Sequence, residues 1–379
     1  MDFDFNDDQN MLRDTVRRWV DKDYGFERRR KIVRDGGFDR AVWGELADLG
    51  LTGLAVPAEH GGMGLGAVDA MVVMEELGRG LLLEPYAQGA LVAGGVLARH
   101  AGAALQAQWL PRIAAGEALV VLAHQERQAR YRLDRTATTA VADGAAWRVN
   151  GSKTVVPAGD RADAFLVPAQ VDAAAGADGI ALLLVERSAD GVKARGYATQ
   201  DGARAADLQL TDAVATLVAP AGSGLAALEL GIDIGIAALC AEAVGAMEKL
   251  VAITVEYMNT RKQFGVAIAT FQALRHRIAD VKMQLELARS MSYFASLKMN
   301  EPPAARRRAL AQAKLQLGQS MRFVGQQCIQ LHGGIAMTDE YSASHYFKRL
   351  TVMEMTYGDS MHQLGEVAST LQDTAGVFA

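Results

Sequence analysis

The segment "NTRKQFGVAIATFQALRHRIADV", residues 259–281, decides the fold, because it separates two stretches that read as long helices. Upstream, residues 224–260 carry apolar side chains on more than one face, and 272–299 and 304–331 do the same downstream. Helices this long and this apolar are expected to pack on one another as a bundle. Inside the segment, Arg261, Phe264 and Gly265 interrupt the helical period. A guanidinium fork can hold a pyrophosphate bidentately with an aromatic ring packed nearby. The same residues also read as a helix-terminal Arg beside a buried Phe. Gln272, at the head of the next helix, is either a ligand contact or a polar surface residue.

Working outward, residues 1–118 read as helical. Asn6-Asp7-Asp8 can cap a first helix carrying Met11, Leu12, Val16, Trp19 and Val20 at helical spacing. Further periodic segments fall at 41–49, 67–77, 87–100 and 103–115, with the turn-rich "AVPAEHGGMGLG" (55–66) between two of them. From 119 to 222 the pattern becomes short Val-, Leu- and Thr-rich runs, such as "DAFLVPA" and "IALLLVE", separated by turn pairs. Within them "VADGAAWRVNGSK" (141–153) is an expected hairpin, and "AQVDAAAGADG" (169–179) an expected mobile loop. The expected architecture is α+β multidomain: an N-terminal α-helical domain (1–118), a central β-barrel domain (119–222) and a C-terminal four-helix bundle (223–379).

Composition narrows the function classes. The 379 residues are 50% hydrophobic and 22% charged, with a net charge of −5. That balance, without a basic tract, argues against nucleic acid as a partner. The run Arg306-Arg307-Arg308 is expected on a solvated helix start. The two cysteines, Cys240 and Cys328, sit in apolar helical surroundings and are expected as buried, inert thiols in a reducing compartment. The acidic N-terminus does not resemble a secretory signal. The most apolar run, 225–247, is broken by Glu229, Asp233 and Glu242, so no membrane span is expected. No His or Cys pair has metal-ligand spacing. A cytoplasmic protein is the expectation.

A third motif, Gln330-x-x-Gly333-Gly334 within "IQLHGGIAMTDEY" (329–341), offers an amide and two positions without Cβ, where backbone N–H groups can approach a ligand. It also reads as a plain helix C-cap. Together with 259–281 and "GELADLGLTGLAVPAEHGGMGLGAVDAMVVMEELGRG" (44–80), it resembles the acyl-CoA dehydrogenase family, in order and spacing, over nearly the whole chain. The resemblance implies FAD as cofactor, an acyl-CoA substrate and an electron-transfer flavoprotein as acceptor. It further implies Arg261, Phe264, Gln272, Gln330, Gly333 and Gly334 as contacts to FAD held mainly by a neighbouring subunit. His332, inside the motif, reads as a satisfied buried His or as an acid or base, and His124 and His362 are read with the same caution.

The chain departs from the family where a base belongs. Members resemble one another in a Glu before Gly-Thr/Ser; here that position is Tyr357, followed by Gly358. A phenol with a reference pKa of about 10 is a poor base near neutral pH. A second family position for the Glu, with an Arg after it, falls on Gly235 and Ile236. Asp359 is then either a displaced base on a bent loop or a helix cap. The family's Thr-Glu-Pro…Gly-Ser-Asp loop corresponds to "AHQERQARYRLDRTA" (123–137), which keeps only Glu126, and its Trp-x-Thr strand to Val155-Val156-Pro157. The variant "TYGDSMHQL" looks like that of the smaller subunit of pimeloyl-CoA dehydrogenase-like heteromeric enzymes. Three functions are expected in order: FAD-dependent α,β-dehydrogenation of an acyl-CoA, a non-catalytic partner completing an unlike chain's FAD site, and a flavin monooxygenase or oxidase. The oligomer would be a homodimer or homotetramer, or a heterotetramer with an unlike subunit.

Overall fold

Reciprocal capping starts the chain: Asn6 Oδ1 accepts the Gln9 N–H at 2.8 Å, and Gln9 Oε1 accepts the Asn6 N–H at 3.2 Å. The computed structural model describes residues 5–369 and 371, so the outermost residues of the first and third expected domains lie outside it. Helix α1 (Asp7–Asp23) is followed by α2 (Phe26–Arg34), α3 (Arg40–Asp48) and α4 (Ala67–Arg79). A π-helical turn, Ala87–Val92, leads into α5 (Ala93–His100), and α6 (Ala103–Ala114) completes the N-terminal helices. The β-rich middle runs from β1 (Val120–Leu122) and β2 (Thr139–Asp143) through β3 (Ala146–Pro157) and β4 (Ala164–Gln170). It ends with β5 (Ile180–Glu186), β6 (Val192–Ala198) and β7 (Arg204–Ala219). Beyond it come α7 (Gly224–Thr260), a two-residue ribbon of β8 (Lys262–Gln263) and β9 (Val266–Ala267), and α8 (Gln272–Leu297). The last helices are α9 (Pro303–His332), α10 (Ser342–Met355) and α11 (Ser360–Ser369). Helical, β-barrel and helical regions thus follow one another as expected.

Packing gathers these elements into two compact units. One holds the described chain to Arg30, with Ala67–Leu82 and the described residues from Ile236 onward; the other holds Lys31–Gly66 and Leu83–Gly235.

In the first unit, α4 and α7 cross at backbone distance. A Cβ on Gly78 would stand 2.1 Å from the Glu242 carbonyl oxygen, and one on Gly245 only 1.8 Å from that of Glu75. Ion pairs frame the crossing: Arg349 Nε and Nη2 donate to the two oxygens of Glu242 at 2.6 and 2.8 Å, and Arg17 and Arg79 share Glu76. By length and composition α7 is apolar enough to cross a membrane, which corrects the expectation that no run reaches that length. Its apolar window is 72% buried inside the protein, as a bundle core requires. Arg306 is buried as well, so the arginine run is not simply a solvated face. Cys240 and Cys328 are free and buried, and burial pushes their thiols up to about 12 and about 11.

In the second unit the expected hairpin forms, with Thr139 opposite Asn150 and Asp143 opposite Ala146. The sheet closes on itself because β5 pairs with both β4 and β7, in the ring β4-β2-β3-β7-β5. β4 and β5 are buried almost throughout, which explains their unbroken apolar sequences. The expected mobile loop instead forms short 3₁₀ turns kinked at Gly176. The Asp172 carboxylate accepts from Ala174 N–H, and the Gln170 amide donates to the Asp172 and Gly176 carbonyls.

Alanine is the better helix former by about 1 kcal/mol, yet at residue 245 there is no room for its methyl. Gly245→Ala is expected to lose about 2 kcal/mol net as the helices separate, read as a lowered thermal midpoint with helical content unchanged below it.

Candidate functional site

The turn after α10 is built around one buried cation. Lys314, on α9, is fully enclosed, and its Nζ donates to the carbonyls of Met353 (3.0 Å), Glu354 (2.8 Å) and Gly358 (3.2 Å). Two of these are last-turn carbonyls of α10, where a cation also meets the negative end of the helix dipole. Burial pulls the amine down to about 8. Between them Tyr357 adopts φ +59° and Gly358 φ +102°. A left-handed conformation costs a residue with a Cβ on the order of 1–2 kcal/mol. The surroundings hold it there: the Gln363 amide donates to the Tyr357 carbonyl at 2.8 Å, and Glu354 Oε1 accepts from the N–H and hydroxyl of Ser360.

Of the two expected roles of Asp359, the geometry shows the second, a helix cap. Its Oδ1 accepts the His362 N–H at 2.8 Å at the start of α11. Tyr357 and Asp359 therefore share one turn, but the carboxylate is engaged in holding α11. At the other family position, Gly235 and Ile236 are buried in α7 and neither can ionise.

The remaining expected site residues form a second group. Arg261, Phe264 and Gln272 lie at the junction of α7 and α8, and Gln330, Gly333 and Gly334 at the end of α9. A small core of Met258, Ile268 and Leu331, flanked by Tyr257, Leu274 and Ile278, packs the two places together. All six are exposed. Among the described residues the side chains of Arg261, Gln272 and Gln330 have no ion pair or side-chain hydrogen bond. Nothing lies within 4 Å of a Cβ built on Gly333 or Gly334. Phe264 is not buried, as the helix-end reading would have it: it is 92% exposed, at φ +54°. A free guanidinium, two free amides and an open Gly-Gly backbone form a donor set that suits an anionic nucleotide. His332 lies beneath them, 3% exposed between the rings of Tyr257 and Tyr341. Its Nδ1 is 2.8 Å from the Cys328 carbonyl, so that nitrogen carries the proton in the neutral ring. Burial lowers its basicity.

Sequence reasoning missed the apolar surroundings of this group. Val266, Phe271, Ile335 and Met337 are exposed in the same segments, and Met283 and Leu287 are exposed further along α8. Their only trace in the sequence was the spread of apolar residues over more than one helix face.

In the second unit, the altered loop 123–137 is tied to β3 by Glu126. Its carboxylate accepts from Lys153 Nζ (2.7 Å), the hydroxyls of Thr136 (2.6 Å) and Thr138 (2.7 Å), and the Ala137 N–H (2.6 Å). Burial alone would raise the carboxyl; the Lys153 charge and these donors outweigh it and hold it well below the usual range. The pairing of β3 with β7 slips between Lys153 and Val156. Val155 sits in that irregularity at φ +52°, exposed, with Val156 buried behind it. The backbone still presents residue 155 outward, although no aromatic side chain is there.

Family profiles match three parts of the chain: acyl-CoA dehydrogenase, N-terminal domain, at residues 6–117; middle domain at 122–213; and C-terminal domain at 222–372. Acyl-CoA dehydrogenase FadE27 of Mycobacterium tuberculosis is 28% identical over 344 residues, covering 89% of each chain. Among solved structures, the ChsE4-ChsE5 complex from Mycobacterium tuberculosis is 27% identical with a TM-score of 0.89, covering 98% of this chain and 99% of that one. A Tcur3481-Tcur3483 steroid ACAD variant is 28% identical with a TM-score of 0.89, covering 97% and 99%.

Two substitutions separate a cap from a base at Asp359. Asn retains capping ability, so Asp359→Asn is expected to leave stability within about 0.5 kcal/mol, and Asp359→Ala to lose about 1 kcal/mol. A capping role predicts that only the Ala variant shifts the unfolding midpoint and that Asn keeps full turnover in the active assembly. For Lys314→Met, loss of three carbonyl partners is expected to cost about 2–4 kcal/mol and to speed amide exchange at 356–360 more than elsewhere in α9–α11.

Proposed function

The chain belongs to the acyl-CoA dehydrogenase family, and we propose that it serves FAD-dependent α,β-dehydrogenation of an acyl-CoA thioester by completing the flavin site of an unlike dehydrogenase subunit. The observation that carries this reading is the use of Asp359 as a helix cap. With a phenol at residue 357 and no ionisable group at 235 or 236, this chain offers no carboxylate at either position where its family holds the base.

FAD is the cofactor of the family, and when bound it accepts the hydride leaving the β-carbon. The exposed donor set of this chain suits it. Arg261 would grip the pyrophosphate as a fixed fork, Gln272 and Gln330 would donate amide hydrogens, and the Gly333-Gly334 backbone would admit close approach. Phe264 and the apolar residues around it would keep water from the contact once a second chain covers them. The base that takes the α-proton, and the loop that holds the flavin from its own side, would come from the partner. A complex of two differently named chains among the similar structures supports an unlike partner. Electrons would leave to an electron-transfer flavoprotein; one curated relative is a subunit of a caffeyl-CoA reductase-Etf complex.

Purified alone, the chain is expected to be colourless. Copurified with an unlike acyl-CoA dehydrogenase chain it should give a yellow complex that an acyl-CoA bleaches without oxygen. Arg261→Ala in this chain should lower the flavin content of that complex at least about tenfold at limiting FAD, the effect of about 1.4 kcal/mol. A yellow homo-oligomer of this chain that acyl-CoA bleaches would overturn the partner role, and dioxygen consumption with a non-thioester substrate would overturn the dehydrogenation itself.

A further inference from the structure

The stretch 335–341, which joins the Gly333-Gly334 motif to α10, is tied to the N-terminal helices through one imidazole. His345, in the first turn of α10, is buried. Its Nδ1 lies 3.2 Å from Arg29 Nη1 of α2, and its Nε2 lies 2.9 Å from the Asp339 carbonyl oxygen. A guanidinium only donates, so Nδ1 is the accepting nitrogen. The proton of the neutral ring therefore sits on Nε2 and goes to the Asp339 carbonyl. Arg29 is itself buried, and its Nε donates to the Leu81 carbonyl, just beyond α4, at 2.9 Å. Leu81, Arg29, His345 and Asp339 thus form one chain of hydrogen bonds, wholly inside the first unit.

Other contacts of the stretch are local. The Thr338 hydroxyl donates to the Ile335 carbonyl at 3.0 Å, and the Ser344 hydroxyl reaches the Thr338 and Tyr341 carbonyls, both at 3.3 Å. The Tyr341 ring stands edge-on to His332. The Arg29 contact differs in kind, since it joins residues 316 positions apart. Phe26 meets the His345 ring edge-on at 5.0 Å. The charged groups around the imidazole are Arg29 and Arg30 on α2, Asp339 before α10 and Lys348 on α10. The Asp339 carboxylate is 3.3 Å from Nε2, but Arg30 and Lys348 each stand 3.9 Å from it and share its charge. The hydroxyl of the adjacent Tyr346 donates to the Arg79 carbonyl. Burial, with the Arg29 charge, lowers the basicity of the ring against the pull of Asp339.

We propose that Arg29 and His345 form a pH-sensitive latch that holds the 335–341 stretch, and with it the Gly333-Gly334 backbone, in place while His345 is neutral. A protonated imidazole carries N–H groups on both nitrogens. Its Nδ1–H would then face the Arg29 N–H, two donors and two positive charges in one buried contact, and the latch opens. Both are positioning residues, acting on the backbone and not on a ligand. Because the folded ring is the weaker base, the unfolded or unlatched chain takes the proton first. The latch is therefore fully stabilising above the ordinary imidazole range, about 6.5, and loses that stabilisation as pH falls through it. That the Gly-Gly backbone meets a flavin rests on the proposed function; the latch itself rests on the contacts within the first unit.

Amide exchange of the full-length chain at about pH 8 and about pH 5.5, corrected for the intrinsic pH dependence of exchange, tests this. One unit below the ordinary imidazole value, opening is favoured about tenfold more than at the higher pH, so the 335–341 amides should lose about tenfold in protection. Amides of α8 and α9 should lose less. His345→Gln keeps an amide donor for the Asp339 carbonyl but does not titrate, and should flatten the response to less than about twofold. Arg29→Met should leave the stretch weakly protected at both pH values. The flavin affinity of the flavin-loaded assembly, whether this chain's own oligomer or its complex with an unlike chain, should fall with pH in the wild type by about the same factor and not in His345→Gln. Unchanged protection of 335–341 in the wild type overturns the latch. So does a pH response that survives in His345→Gln, which would belong to His332 or another group. A latch response with the same flavin affinity at both pH values overturns the positioning role. A yellow homo-oligomer would end the partner reading and leave both tests of the latch decisive.

Discussion

The Lys314 ammonium, enclosed among the carbonyls of Met353, Glu354 and Gly358, sets the position of everything that follows α10. Burying a lysine is costly unless its three N–H groups are matched, and here each finds an oxygen. Because two of the oxygens end α10 and the third lies beyond the turn, one charge fixes both the stop of one helix and the approach to the next. Tyr357 is carried in a strained left-handed conformation as a consequence, and Asp359 falls where α11 needs its cap. The empty base position is therefore not a disordered remnant. Its backbone is braced by Lys314, Gln363 and Glu354.

The second unit shows the same separation of scaffold from tip. Glu126 and Lys153 form a neutral, fully hydrogen-bonded anchor beneath the loop, much as Lys314 lies beneath the 357 turn. Beyond the anchor the loop carries four arginines, and Val155 stands exposed on an irregularity of β3. In both units the buried groups that shape the backbone are satisfied. The α7–α8 junction contrasts with both: its Arg, Gln and Gly-Gly groups keep the family's residue types and lie exposed without partners.

How far the sequence could be read follows from the range of each interaction. The order of helical and β regions, the β2–β3 hairpin and the Asn6 cap were all legible, because periodicity and capping act within a few residues. So were the motif residues at 261–272 and 330–334, and the absence of a carboxylate at 357. The sequence could also state both roles of Asp359 but could not choose, since a cap and a base have the same residue type. The choice depended on where the His362 N–H points.

Tertiary structure decided what depends on residues distant along the chain. Lys314 reaches Gly358 across 44 positions and Lys153 reaches Glu126 across 27, spacings that carry no periodic signal. Barrel closure through β4 and β5 and the glycine contacts of α4 with α7 are of the same kind. Phe264, which reads as a core residue, is 92% exposed where the chain turns left-handed, with the Phe271 ring edge-on to it. The sequence by itself determined the order of the elements and the chemistry available in them. Which groups are spent on holding the fold, and which are left free to meet a ligand, was settled only when distant segments packed, because a buried charge must find its partners wherever the fold brings them.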